Sequence, residues 1–357
     1  MKAMVLHKPA PVESLPLKLE DVPCPEPKPS EVLIRVSACG VCHTDLHIVE
    51  GEVRPRSLPL IPGHQVVGVI ESVGTGKASE EARIGDYSGG IPKTLKRTDG
   101  ENPHPGMRVG MPWLYKACGE CSYCKSGLEN LCDDPRFTGL DVNGGYAEYI
   151  VAPADFVVPI PDIFSDEEAA PLLCAGIIGY RSLRVSGLLP GERIGLFGFG
   201  ASAHLALQVA RYWGCEVYVF TRSREHQDLA RSLGAAWAGT ADDVPPRPLD
   251  RAITFAPAGG LIPRALKNLR KGGTLAINAI HMDGLPEMPY DLLYWERSIK
   301  SVANSTREDA FNFMEVAAAI PIRVKTEAFP LEKANEALLQ LKERKIQGSA
   351  VLFIPSR

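Results

Sequence analysis

The sequence predicts an α/β protein in two parts: a β-rich half that opens the chain and closes it, and a doubly wound parallel sheet between. Three observations lead there. Up to about residue 160 the chain reads as short apolar runs punctuated by Gly and Pro; beyond Ile160 helix and strand patterns alternate. Between the apolar strand Arg193-Ile-Gly-Leu-Phe197 and a helical run from His204 to Tyr212 lies Gly198-Phe-Gly200-Ala201-Ser202-Ala203, a Gly-x-Gly-x-x-Ala turn in its informative strand–turn–helix setting. At 357 residues the chain is long enough for two domains, each with its own core.

Taken in order, Val32-Leu-Ile-Arg-Val36 reads as a β-strand, and Gly and Pro punctuation around Leu60, Gly68, Gly74 and Gly85 continues the pattern of short strands and turns. Residues 77–105 are polar and rich in Gly, Pro, Lys and Asp, and read as a long, mobile surface loop. Ser165-Asp-Glu-Glu168 starts a helix, with Ser165 as N-cap and Glu168 at the capping-box position. Glu216-Val-Tyr-Val-Phe220, Ala252-Ile-Thr-Phe255 and Thr274-Leu-Ala-Ile277 read as buried strands, with a helix around Ala265 to Leu269. An amphipathic helix over Leu331–Leu341 and a terminal strand over Ala350–Ile354 close the chain.

Two stretches carry metal-binding chemistry. Val36-Ser-Ala-Cys39-Gly-Val-Cys42-His43-Thr44-Asp45-Leu-His47 concentrates thiols and imidazoles, ligands that suit a d¹⁰ ion such as zinc. One segment cannot close such a site, and His64 (in Pro62-Gly63-His64-Gln65) and Cys174 stand out downstream as partners. Separately, Cys118-Gly-Glu-Cys121-Ser-Tyr-Cys124 followed by Cys132 spells C-x₂-C-x₂-C-x₇-C. Four thiolates without a histidine make a closed, structural zinc site.

The chain carries nine cysteines, and seven fall in these contexts, so reduced ligand thiols are favoured over disulfides. Cys39, Cys24 and Cys215 read as packing residues. A hydrophobic share of 45% with 23% charged residues is that of a soluble globular protein, and a net charge of -4 argues against a nucleic-acid partner. With no apolar run of membrane length and no signal-peptide core, the protein reads as cytoplasmic, without a membrane partner.

These motifs, in this order and over nearly the whole chain, resemble the zinc-dependent medium-chain alcohol dehydrogenases. The resemblance implies a GroES-like β-rich catalytic domain at 1–158 and 298–357, with a structural-zinc lobe at about 113–135, and a Rossmann cofactor domain at 159–297. It implies a catalytic zinc on Cys42, His64 and Cys174 with one position open. That Cys₂His set is the one alcohol dehydrogenases use and is matched here, not deduced. It implies a second zinc on Cys118, Cys121, Cys124 and Cys132, hence two per chain. Thr44 and His47 would relay the alcohol's proton through the cofactor ribose to solvent, Asp45 would orient His64, and His43 would face the cofactor pyrophosphate. The substrate would be a small alcohol or aldehyde, most simply a primary one, and the protein a homodimer or homotetramer.

In the nucleotide turn, Gly198 permits the tight turn, Gly200 lets the backbone approach a pyrophosphate and Ala203 keeps helix and strand close. The position that holds an acid in NAD-binding relatives is Thr221, followed by Arg222, Ser223 and Arg224. A missing carboxylate beside arginine favours a 2′-phosphate, so NADP(H) is expected over NAD(H). The alternative is that the arginines are solvated charges and NAD binds.

Three positions depart from the family pattern: Gln65 replaces a common Glu, Ser349 follows Gly348 where Arg is frequent, and Ile178 replaces a polar neighbour of the nicotinamide. Trp113, Leu114 and Leu140 are candidates for an apolar substrate pocket or for core. Two other readings compete: a zinc-ribbon binding protein built on the four-cysteine lobe, and a zinc-free quinone reductase on the same fold.

Overall fold

Two sheets divide the chain in this computed structural model, which describes residues 1–75, 102–280, 282, 284–320 and 322–355. The surface loop expected at 77–105 lies outside the described residues except at 102–105.

Strand Glu31–Val41 is the spine of the first sheet. Val32, Ile34, Val36 and Ala38 are buried at alternate positions, as one covered face requires, and from Ala38 to Val41 every residue is buried. It pairs antiparallel with Val66–Val73, Tyr149–Pro153 and Ser349–Phe353. The sheet has seven strands and reaches Thr326–Pro330 at one edge and, through Arg108–Met111, Val158–Pro159 at the other. Pairing of Ser349–Phe353 with Ala38–Val41 is how the chain's end rejoins its beginning.

The second sheet is six-stranded and wholly parallel. Its spatial order is Trp237–Gly239, Glu216–Phe220, Arg193–Phe197, Leu249–Thr254, Leu269–Ile277, Ser298–Ser301. Winding therefore reverses between Arg193–Phe197 and Leu249–Thr254, the crevice where such sheets bind ligands. Helices Ile177–Ser186 and Ala201–Tyr212 cover one face, and Leu261–Asn268 the other, over the stacked rings of Phe197 and Phe220, 4.0 Å apart.

Two elements differ from the reading of the sequence. Ser298–Ser301 is the sixth strand of the parallel sheet, so the return expected from 298 begins only after it. Its side chains are mostly exposed, which removes the apolar signal of a buried parallel strand. The three-residue strand Trp237–Gly239 was likewise not anticipated.

Between the sheets run Asp166–Pro171, a π-helical turn Leu172–Gly176, and Ile177–Ser186. Ser165 and Glu168 form the expected capping box. Leu172, Leu173 and Ile177 share one apolar cluster with Ala38, Val67 and Val351 of the first sheet. Arg181 and Arg184 both bond the buried carboxylate of Asp309, at 2.5 and 2.6 Å, which ties this helix to Arg307–Ala319. Burial opposes ionisation of Asp309, but the two guanidinium groups outweigh it and hold the carboxyl below its usual range.

Candidate active site and metal centres

Strand Glu31–Val41 delivers Cys42 directly to the N-cap of helix His43–Glu50. The Cys42 sulfur accepts from the Thr44 N–H at 3.3 Å, and the Asp45 carboxylate accepts from the Cys42 N–H at 3.0 Å. A helix N-terminus favours negative charge, so the local fold itself favours a thiolate at this position.

His64 arrives through a turn that only glycine fits: Gly63 has φ +99°, and a Cβ there would stand 2.4 Å from the Tyr146 ring. Asp45 Oδ1 lies 2.9 Å from His64 Nδ1, which aims Nε2 at the Cys42 sulfur, 3.4 Å away. Cys174 enters from the π-helical turn, a distortion often found at functional sites. The three ligand atoms lie within 4.8 Å of one another. A tetrahedral zinc with ordinary Zn–S and Zn–N bonds has an S···N edge of about 3.6 Å, so the Cys42–His64 separation fits the ion. Electrostatics agree: the Cys174 thiol hydrogen-bonding to it, helped by His64 and opposed by burial, holds Cys42 well below the ordinary thiol range. Cys174 is pushed well above it by the Cys42 thiolate and by burial.

Around this set, Thr44 is buried and His43 exposed at the helix start. His47 is half-exposed, its Nδ1 2.5 Å from Glu52 Oε2. Trp113 meets His64 edge-on, ring centroids 5.0 Å apart. Leu114 is core, and Leu140 packs against that core from a half-buried position. Cys39 is fully buried and outside the ligand group.

In the lobe, Cys118, Cys121, Cys124 and Cys132 also lie within 4.8 Å of one another. The Cys118 and Cys124 sulfurs are 3.9 Å apart, close to the edge of about 3.8 Å in a zinc–thiolate tetrahedron and far from a disulfide. Backbone N–H groups of Cys118 and Asp134 point at the Cys132 sulfur and that of Cys121 at Cys118. N–H groups of Cys124 and Asp133 pull Cys121 down to about 6.

At the nucleotide turn, Gly198 has φ +90°, and a Cβ would meet Ala256 at 3.0 Å. Gly200 instead faces open space, with nothing within 4 Å of an added Cβ, which is room for an approaching pyrophosphate. Ala201, Ser202 and buried Ala203 begin the helix Ala201–Tyr212. Thr221 closes strand Glu216–Phe220, and Ser223 caps the next helix by accepting from the His226 N–H. Arg222 and Arg224 are exposed, and no carboxylate pairs with either among the described residues.

Residues 28–162 match the family described as "Alcohol dehydrogenase GroES-like domain" and residues 203–319 the one described as "Zinc-binding dehydrogenase". The chain is 46% identical over 355 residues to a Mycobacterium tuberculosis protein named "Probable alcohol dehydrogenase AdhA", covering 99% of this chain and 97% of that one. The chain belongs to the zinc-dependent medium-chain alcohol dehydrogenases. An alcohol dehydrogenase of Geobacillus stearothermophilus is 38% identical, covering 94% and 95% of the two chains. Among solved structures, a cinnamyl alcohol dehydrogenase from Sorghum bicolor superposes with a TM-score of 0.83 at 25% identity, covering 99% and 97%. The two sheets are thus the GroES-like and Rossmann units of that family.

Against the family pattern, Gln65 is buried with its side chain packed on Gly40, and its Nε2 has no hydrogen-bond partner among the described residues. Ser349 is buried at the start of its strand, after Gly348 at φ +107°. Ile178 packs against the apolar cluster between the sheets. Cys24, read as packing, is exposed, because its proline-flanked segment carries no strand to bury it. Cys215 is buried. The sequence reading missed Glu52: Gly51, left-handed at φ +86°, turns the chain back so that Glu52 meets His47, and a glycine after a helical run was the available signal.

Proposed function

We propose that this chain is a zinc-dependent alcohol dehydrogenase and aldehyde reductase, exchanging hydride between a primary alcohol or aldehyde and NADP(H). The observation that carries the reading is the meeting of Cys42, His64 and Cys174, from three distant parts of the chain, in one cluster. A quinone reductase of this fold would need none of the three. Zinc bound there would act as Lewis acid and lower the cost of removing the alcohol's proton.

The chain's own residues do the rest. Asp45 holds His64 in one tautomer and orientation. Thr44, beside Cys42, has a hydroxyl that accepts the alcohol proton while donating its own. His47, one turn along the same helix and half-exposed, passes the proton to water; Glu52 occupies its Nδ1 and leaves Nε2 to receive. His43, exposed at the helix start, is available to a cofactor phosphate. Cys118, Cys121, Cys124 and Cys132 would hold the second, structural zinc.

Preference for NADP(H) is supported by Arg222 and Arg224 standing exposed, with no carboxylate paired to either among the described residues. The cofactor unit is assigned from after Pro159, which still pairs in the first sheet, through Val302, which still bonds the parallel sheet; 303–306 cross between the units and the remainder is the catalytic unit. A homodimer is supported by the edge strand Ser298–Ser301 and the exposed Leu285, Tyr290, Tyr294 and Trp295 that precede it. No helix among the described residues is long and apolar enough to cross a membrane, in keeping with a cytoplasmic assignment. Initial rates over a panel of primary alcohols and aldehydes, with both nicotinamides, test the reading. A higher kcat/KM with NADPH supports it; equal values or a preference for NADH overturn the cofactor assignment, and no turnover with either overturns the activity.

A further inference from the structure

Trp113 stands where the two units meet. Its ring lies edge-on to His64 and stacks on Phe137 at 5.0 Å with planes 16° apart. Phe137 belongs to the two-strand ribbon Leu114–Lys116 and Arg136–Phe137 that flanks the cysteine lobe. The indole N–H donates to Asn304 Oδ1 at 3.2 Å. That acceptor lies on the segment that crosses between the units after the sixth strand of the parallel sheet, two residues past Val302, whose N–H still bonds Ile277.

The segment is gripped on both sides of Asn304. The buried Asn130 of the lobe donates from Nδ2 to the Ala303 carbonyl at 2.7 Å. Arg307 donates from Nε to Glu129 at 2.9 Å, with its guanidinium 4.4 Å from the Phe156 ring centroid. Asn304 itself has φ +51°, a conformation that Asn tolerates better than most residues with a side chain. Asn304 has no part in the proton path, yet its contact ties the segment leaving the cofactor unit's parallel sheet to the wall of the metal-ligand cluster.

We propose that Asn304 is a positioning residue for substrate discrimination: it fixes Trp113 against His64, so that the seating of the cofactor unit sets the width of the cleft for the alcohol's carbon chain. The proposal rests on the reading of the Cys42–His64–Cys174 cluster as the alcohol site. With its acceptor in place the indole has one orientation, closed by Phe137 on one side and His64 at its edge. Without it, the ring is free to tilt toward a water partner, and the cleft widens for branched alcohols while the proton-handling residues are untouched. The width of the cleft is therefore read in the ratio of kcat/KM for 1-butanol to that for 2-butanol.

The test uses Asn304→Gly, which keeps the positive φ but removes the acceptor, Asn304→Asp, which keeps an acceptor, and Trp113→Phe, which removes the donor. Asn304→Gly should lower the 1-butanol to 2-butanol ratio by about two- to tenfold, the range that one net hydrogen bond supplies, with cofactor KM within twofold. Asn304→Asp should retain the wild-type ratio. Adding Asn304→Gly to Trp113→Phe should change the ratio no further, because the bond is already gone. Should Asn304→Gly fail to fold, Trp113→Phe with and without Asn304→Asp supplies the same comparison, and the two should be equal. An unmoved ratio in Asn304→Gly, or an added effect in the Trp113→Phe background, overturns the role of Asn304. A wild-type chain that oxidises neither alcohol overturns the parent reading instead.

Discussion

Asp45→Asn is the sharpest probe of how the ligand cluster is held. Asp45 accepts two hydrogen bonds, from the Cys42 N–H and from His64 Nδ1, and neither partner can accept in return while Nε2 serves as ligand. Asparagine has the same shape but one acceptor oxygen, so its NH₂ must face one of two donors. If the oxygen stays with Cys42, His64 loses its anchor, and losing the hydrogen-bond partner of a metal ligand costs about 10–100-fold in metal affinity. If it turns to His64, the helix cap is lost, at about 1 kcal/mol, and a buried N–H is left unpaired, at about 1–3 kcal/mol. Either way the variant pays. Titration with a chromophoric chelator resolves the two cases: one zinc per chain should be released at chelator concentrations about 10–100-fold lower than in wild type, the other unchanged, or the melting temperature should fall with affinity preserved. A variant that keeps both metals at wild-type affinity and melts at the wild-type temperature would show that Asp45 neither anchors His64 nor caps the helix.

Three further outcomes follow from the geometry. Asp309→Asn leaves Arg181 and Arg184 short of their buried counter-charge and should cost about 3–5 kcal/mol in urea unfolding at pH 7. Because the folded carboxyl titrates below the unfolded value of about 3.9, that stabilisation is complete above it and is lost as pH falls further; the gap between wild type and variant should close below about pH 4, and a gap undiminished at pH 3 would contradict the assignment. Gly200→Val should weaken nucleotide binding at least about tenfold in Kd with little change in melting, since its side chain enters open space on the phosphate side. Gly198→Val should lower melting as well, because φ is +90° and Ala256 crowds the Cβ, at a conformational cost of about 1–2 kcal/mol; equal melting for the two variants would count against this division.

What the sequence made legible was whatever is local. The nucleotide turn lies between a strand and a helix only residues apart, and the four lobe cysteines fall within fifteen positions, so spacing alone indicated both. Cys174 is different. Its residue type made it a candidate partner, but its joining to Cys42 and His64 depends on a π-helical turn lodged between two sheets, and the family resemblance alone implied that ligand set. Ser298–Ser301 escaped because an exposed edge strand need not be apolar, and Cys24 misled because a cysteine among prolines has no periodicity to place it. Asn304 carries no local signal at all: its partner Trp113 is 191 positions away, and the contact exists only once both units are folded.

Zinc content and alcohol oxidation, measured on the same preparations of wild type and Cys174→Ala, decide whether the Cys42–His64–Cys174 cluster is the reaction centre. A catalytic ion held by Cys42, His64 and Cys174 beside a structural one in the cysteine lobe predicts two zinc ions per wild-type chain. It predicts one in the variant, with folding intact and oxidation lost. A variant that keeps both ions, or a wild-type chain that oxidises alcohol free of zinc, would contradict it.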